Sequence, residues 1–282
     1  MIKKIIIGTS NFGTRYGIEK KIVSEKKAKE LIKYAIKKKI FYLDTAKNYK
    51  TSNKFIQKMN NKLIVNSKIL PNFRWTKLNV CINEINKIKK NINYKTIDTI
   101  YLHDEKIIRK KIFPKIYDNL LILKKRKFFK KLGISIYNFD TIDFFLNKYY
   151  FKVVQCPFNI FDQRLSKKNY IKKLRSKNIE IHVRSIFLQG LLNNRAINKI
   201  NLSNKLKKNI IKLQNFADHK KVKVLDLCVT FVSKFKVDRF VVGFNNINNF
   251  KEVIKYKKIK SINFNKFSIT NKKIIDPRYW NK

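Results

Sequence analysis

The chain has 282 residues, 44% of them apolar and 13% aromatic, enough for a sizeable core and too apolar for a disordered segment. Its 67 Lys and Arg against 18 Asp and Glu give a formal charge of +49, which raises polyanion binding as a function class. The lysines are scattered over nearly every expected helix, as on solvated faces, and form no basic arm interleaved with aromatics, so no nucleic-acid partner is expected.

In chain order, Ile5 to Gly8 reads as a first strand. Ser24 then opens a helix with Ala28, Leu31, Ile32 and Ala35 at helical spacing, Glu25 in its first turn and Lys37 to Lys39 in its last. Ile40 to Leu43 is expected as strand and Tyr49 to Met59 as helix. The alternation continues with a strand at Leu63 to Asn66, a helix at Leu78 to Ile92 and a strand at Ile97 to Leu102. A helix at Ile112 to Lys125, a strand at Lys131 to Ser135, a helix at Phe139 to Leu146 and a strand at Val153 to Cys156 come next. After them stand a helix at Asn169 to Ser176 and a strand at Ile179 to Val183. Helices at Asn204 to Asp218 and Val224 to Phe235 precede the last strand, Arg239 to Gly243, and a helix from Ile247 to Tyr256. The strands are continuous apolar runs, the mark of a parallel sheet buried on both faces. Eight such units in a chain of this length point to an α/β fold, a single (β/α)8 TIM barrel over residues 1–282 with a short C-terminal tail lying over one mouth.

Gly8, Gly13, Gly17, Gly133, Gly190 and Gly243 are expected at strand ends or in strand-to-helix connections, the active face of such a barrel. Cys81, Cys156 and Cys228 are isolated in apolar surroundings and read as buried thiols, with neither a disulfide framework nor a metal site. No apolar run approaches membrane length or a signal sequence, so a soluble cytoplasmic protein is expected.

Phe41 to Tyr49 ends an apolar run on Asp44 and carries Tyr49 five residues on. With Asp44, Lys68 and His103 at the ends of strands two, three and four, these four side chains can converge at one side of the mouth. A phenol beside an ammonium has its pKa lowered. Asp44 would hold that ammonium, and His103 would hydrogen-bond a reacting oxygen, giving a proton donor and a polarising site for a carbonyl. Each residue alone has a commoner structural role; the ordered set does not.

These residues, with Gly8-Thr9, Leu43-Asp44-Thr45-Ala46, Ser67-Lys68, Tyr101-Leu102-His103, Gly133-Ile134-Ser135, Gln155 and Ser185 with Leu188-Gln189-Gly190, make the chain resemble the aldo-keto reductase family over nearly its full length. The resemblance implies a barrel that reduces small-molecule carbonyls with NADPH, NADH being left open. It makes Tyr49 the general acid, Lys68 and Asp44 its tuning partners and His103 the carbonyl-orienting residue. It also makes Thr9, Ser135, Gln155, Arg184, Ser185, Gly243, Asn249 and Glu252 neighbours of the cofactor, Ser135 and Gln155 at the nicotinamide amide. Ile136 stands where the family has asparagine, Arg184 where an aromatic stacks on the nicotinamide, and Asn249 where an arginine grips the 2′-phosphate. Val253 replaces another asparagine. A guanidinium at that stacking position disfavours the oxidised cofactor.

His182 and His219 are read as structural, and Asp162 with Arg164 as a loop ion pair. Trp75 and Trp280 are expected to line an apolar substrate pocket or to pack on the rim, with Trp75 the substrate candidate. Specificity is assigned to the tail and to loops read as short, after strands one, three, four and seven. These leave an open mouth for a polar or bulky substrate such as a sugar or sugar nucleotide. Oligomeric state is not legible. Two other function classes stay open here: a cofactor-binding barrel without turnover, acting as a redox sensor or partner subunit, and, more weakly, a nucleic-acid binder.

Overall fold

The β-branched runs form strands as expected of segments buried on both faces. The computed structural model describes residues 2–59, 62–197 and 200–280. Among them, β1 (Ile5–Gly8), β2 (Tyr42–Asp44), β3 (Ile64–Ile69), β4 (Ile97–Leu102), β5 (Phe129–Ser135), β6 (Val153–Pro157), β7 (Glu180–Arg184) and β8 (Arg239–Gly243) pair in sequence order, all parallel. Pairing of β1 with β8, Gly8 against Gly243, closes the barrel. The outer layer is α1 (Glu25–Lys37), α2 (Lys50–Gln57), α3 (Leu78–Ile92), α4 (Phe113–Lys125), α5 (Asp140–Leu146), α6 (Tyr170–Ser176), α7 (Asn204–His219), α8 (Val224–Ser233) and α9 (Ile247–Ile254); α10 (Lys272–Ile275) belongs to the tail. The fold is the expected (β/α)8 barrel. No helix among the described residues is long and apolar enough to cross a membrane.

Five helices end alike. The residue after the last helical turn takes a left-handed backbone, at Lys39, Asn93, Lys127, Asn178 and Lys221, with φ between 52° and 61°. The next N–H then bonds back five residues, as Ile40 to Ala35, Tyr94 to Lys89, Phe128 to Leu123, Ile179 to Leu174 and Val222 to Ala217. This is the helix stop that usually carries glycine, built here from Lys and Asn, with an apolar residue at each closing position.

The barrel axis is polar. Asp98, Lys131 and Glu180 form an ion cluster at its floor, and Glu180 lies 3.5 Å from His182. His182 Nδ1 is 2.7 Å from the Tyr101 hydroxyl, the structural role expected for this histidine. The Tyr101 ring fills the space beside Gly133, where a Cβ would come within 2.7 Å of the ring. Gly133 is thus needed inside β5 for close packing, not at a strand end as its sequence context suggested.

Two connections are long, correcting the expectation of short loops and an open mouth. β1 ends at Gly8 and α1 begins at Glu25, while β7 ends at Arg184 and α7 begins at Asn204. The two segments meet, with Ile18 N–H donating to the Gln189 carbonyl (3.2 Å) and Asn194 to Glu19 (3.4 Å). The tail runs from α8 to the rim: Gln163 donates to the Phe264 carbonyl at 2.8 Å, and Arg278 reaches the Tyr137 ring. The three cysteines are free and buried, and burial pushes the Cys81 thiol up to about 11 and Cys156 up to about 12.

Candidate active site

Parallel pairing sets the strand ends side by side, so residues at neighbouring C-termini share the mouth. Asp44 is the last residue of β2 and Lys68 the next to last of β3; both are buried, at 6% and 4% exposure. The Lys68 ammonium donates to Asp44 Oδ2 and to the Thr45 carbonyl at 3.1 Å. The other Asp44 oxygen accepts from Gln155 Nε2 at 2.9 Å. A buried ion pair holds only when its remaining lone pairs and protons are matched in this way. Thr9, expected beside the cofactor, lines the cavity but bonds inward: its hydroxyl and amide both donate to the Asp44 carbonyl at 3.1 Å, and it accepts from Ser52.

Tyr49 is carried by the turn between β2 and α2. Thr45 donates to Asn53 Oδ1 (2.7 Å), and Asn53 Nδ2 donates to the Ala46 carbonyl (3.0 Å). Tyr49 N–H closes the turn on the same carbonyl at 3.0 Å. Burial, then Tyr16 and Asp44, raise the Tyr49 phenol above its usual range, and Arg184 opposes them. The expectation of a phenol lowered by Lys68 is therefore not met. The Lys68 ammonium is matched to Asp44, and Arg184 is the cation acting on Tyr49. The hydroxyl keeps its proton across the neutral range.

His103 follows β4 directly, its N–H bonded to the Ile69 carbonyl at 2.8 Å. Burial, then the Lys68 and Arg184 charges, bring its pKa down to about 4, so the ring is neutral. The folded state thus resists a proton that the unfolded chain accepts at the ordinary value of 6.5. Stability is expected to fall as pH drops from 6.5 towards 4, with His103 contributing at most about 3 kcal/mol. His103→Gln removes that share, so the stability difference between the two proteins in urea unfolding should change across this window. A difference independent of pH would contradict the neutral, buried imidazole.

The same cavity, of about 620 Å³, is lined by Tyr49, Asp44, Lys68, His103, Ser135, Gln155, Arg184 and Ser185, and extends to Gly243, Asn249 and Glu252 on β8 and α9. All the expected catalytic and cofactor residues thus face one space. Gln155 Oε1 is buried with no partner among the described residues, because Nε2 is taken by Asp44. It is left as an acceptor beside Ser135, its neighbour in register. At the far end, Asn246 caps α9, its Oδ1 accepting from Asn249 N–H at 2.9 Å, and Lys223 lines the wall.

Trp75 corrects the substrate assignment. It is 3% exposed and lies outside the cavity, between α3 and α4, its carbonyl accepting from Asn119 (2.9 Å) and Cys81. Trp280 also lies away from the cavity, donating to the Ile274 carbonyl. Asp162 and Arg164 form the structural ion pair expected, at 2.7 Å. Sequence reasoning missed Tyr16, Tyr137 and Lys223 on the lining. The signal for Tyr16 was its place between Gly13 and Gly17 in a segment now seen to cross the mouth.

A model of the aldo/keto reductase family matches residues 4–274. No curated protein matches the sequence. Among solved structures, the chain is similar to the holo form of an aldo-keto reductase from Bacillus halodurans (TM-score 0.77, 15% identity, 95% of this chain and 93% of that one). It is also similar to a Pseudomonas aeruginosa protein described as an aldo-keto reductase (TM-score 0.64, 15% identity, covering 90% and 89%). A thermostable aldo-keto reductase, Tm1743, solved with the inhibitor epalrestat, gives 0.66 at 16% identity over 92% and 90%. At these identities the structures speak for the fold.

Proposed function

The chain belongs to the aldo/keto reductase family of oxidoreductases, and on that premise we propose that it moves hydride between NADPH and a small carbonyl compound, an aldehyde, a ketone or a sugar-type substrate, with Tyr49 as general acid. The observation that carries this reading is the orphaned Gln155 oxygen next to Ser135, in a cavity that also holds Tyr49 and His103. A buried acceptor with no partner suits the amide N–H of a nicotinamide, so the residues present fit the cofactor.

When bound, the reduced nicotinamide supplies the hydride that adds to the carbonyl carbon. The carbonyl π pair then becomes an alkoxide lone pair, and the Tyr49 hydroxyl proton passes to that oxygen. Neutral His103 donates an N–H to the same oxygen and adds no further positive charge to a pocket that already holds Lys68 and Arg184. Asp44 and Lys68 hold the floor of the site rigid, and Gln155, anchored on Asp44, fixes the amide. Asn249 and Glu252, on α9, would flank the end that takes the cofactor's adenosine half, and Ser185 and Gly243, at or next to the ends of β7 and β8, would line the wall leading to it. Asn249 brings no charge to a 2′-phosphate. Lys223 and a chain of charge +49 do, since a strongly basic field favours the more anionic cofactor.

The test is a titration of both cofactors, followed by a carbonyl panel with the tighter one. NADPH should bind about tenfold more tightly than NADH at low salt, with the gap narrowing as salt screens it. Aldehydes or sugars should then consume the reduced cofactor. Tight cofactor binding with no consumption over the panel would overturn the reductase reading and leave a cofactor-binding barrel.

A further inference from the structure

Arg184 has a charge that the rest of the site does not answer. It is the last residue of β7 and lines the cavity with Tyr49, Lys68 and His103. Its guanidinium lies over the Tyr137 ring, 4.0 Å from the centroid, and Nη2 donates to the Ile136 carbonyl at 3.2 Å. No carboxylate lies within ion-pair distance among the described residues. The two other guanidiniums at this edge contrast with it: Arg164 closes on Asp162 and Arg278 on Asp276, each with two nitrogens. Asp44, the carboxylate nearest the chemistry, is already matched to Lys68 and Gln155. Of the other lining carboxylates, Glu19 pairs with Lys21 and Glu252 stands on α9.

Arg184 is half-buried, and a partly desolvated guanidinium without a counter-charge is costly. It persists where something else completes it. Tyr137 supports one face of the plane and is itself capped by Arg278 of the tail, 3.5 Å from the ring centroid. The platform thus fixes the orientation of the fork and, beyond the bonds to the Ile136 carbonyl and the Tyr137 side chain, leaves edge donors for a ligand. A fixed planar fork matches the two oxygens of a carboxylate or phosphate.

We infer that Arg184 is a specificity residue for a carbonyl substrate bearing an anionic oxygen group, a carboxylate or a phosphate, close to the reacting carbon. The inference rests on the reductase reading for the word substrate, but the anion site itself does not depend on turnover. Arg184 lines the same mouth as His103 and Tyr49 and its charge acts on both, close enough for an anion and the carbonyl to be carried by one small molecule. This makes Arg184 a neighbour of the substrate where the resemblance made it a stacking partner of the nicotinamide.

Two measurements test it, on wild type, Arg184→Gln and Arg184→Lys. The first is calorimetric binding of benzoate, inorganic phosphate and neutral benzamide to the full-length protein. One of the anions should bind wild type at least about tenfold more tightly than benzamide, the worth of a charge-assisted fork, and lose that advantage in Arg184→Gln. Which anion does so identifies the group. The second is the ratio of kcat/KM for 4-carboxybenzaldehyde over 4-formylbenzamide and for glyceraldehyde 3-phosphate over glyceraldehyde. One ratio should be about ten or more in wild type, fall to about one in Arg184→Gln and be partly restored in Arg184→Lys.

Anion binding that depends on Arg184, without turnover of any carbonyl, would overturn the reductase reading and uphold the anion site. Anions bound no better than benzamide, or equally by wild type and Arg184→Gln, would overturn the anion site whatever the turnover. A variant whose NADPH affinity falls while both ligand ratios stay as in wild type would assign Arg184 to the cofactor and also overturn it.

Discussion

Replacing Tyr49 with Phe should lower turnover by about a thousandfold, within the range for loss of a positioned acid, while NADPH binds as before. The hydroxyl is all that the substitution removes. The turn that carries it is held by Thr45, Asn53 and the Ala46 carbonyl, none of which touches the phenol oxygen. Because burial raises the phenol, wild type has its proton in place throughout the neutral range. The rate of carbonyl reduction should therefore show no loss from this group up to about pH 9. Single-turnover rates with saturating cofactor separate chemistry from binding. A Phe variant within a few-fold of wild type would remove Tyr49 from the mechanism.

Lys68→Met should be the most destabilising substitution in the site. It leaves Asp44 buried with Gln155 and no cation, and breaking a buried pair on one side costs about 3–5 kcal/mol, a large share of a typical folding stability. Turnover should fall with it, since Gln155 and the end of β2 are tied to the same carboxylate. Adding Asp44→Asn removes the stranded charge, so the double variant should regain at least about half of the lost stability while staying slow. Urea unfolding of the four proteins closes the cycle. A single Lys68→Met variant as stable as wild type would mean that the pair is not closed in solution.

The barrel was legible in the sequence because its strands are apolar runs bounded by clear helix signals; β4, β8 and α3 fall on their expected bounds. Errors came where the interior is polar or a helix stop is apolar. β3 runs on through Ser67 and Lys68 to Ile69, and β5 starts at Phe129, before Lys131. In β3 the polar residues within the strand read as a loop, and in β5 the exposed Lys130 separated Phe129 from the rest of the run. Ile40 was taken into β2, but its N–H closes α1 on Ala35, and periodicity does not separate a capping apolar residue from a strand. Of the four candidate residues, Asp44, Lys68 and His103 were found because they stand at or beside strand ends, and Tyr49 because it opens the helix that follows β2. Tyr16 and Tyr137 were not, because only the tertiary path of their loops brings them to the mouth. Trp75 misled for the opposite reason: an aromatic just past a strand end turned outward into the helical layer.

The helix stops built from Lys39, Asn93, Lys127, Asn178 and Lys221 bear on the unfolded chain as much as on the folded one. A left-handed backbone costs a residue with a side chain about 1–2 kcal/mol, least for Asn, so these five sites hold strain in the native state. A chain with only six glycines, however, has fewer conformations to surrender when it folds, worth about 0.4–1 kcal/mol per site relative to glycine. The second effect offsets about half of the first. Lysine or asparagine at these helix ends therefore leaves a net cost of up to about 1 kcal/mol per site. The apolar residue that closes each stop, Ile40, Tyr94, Phe128, Ile179 or Val222, helps to cover it by packing against the core.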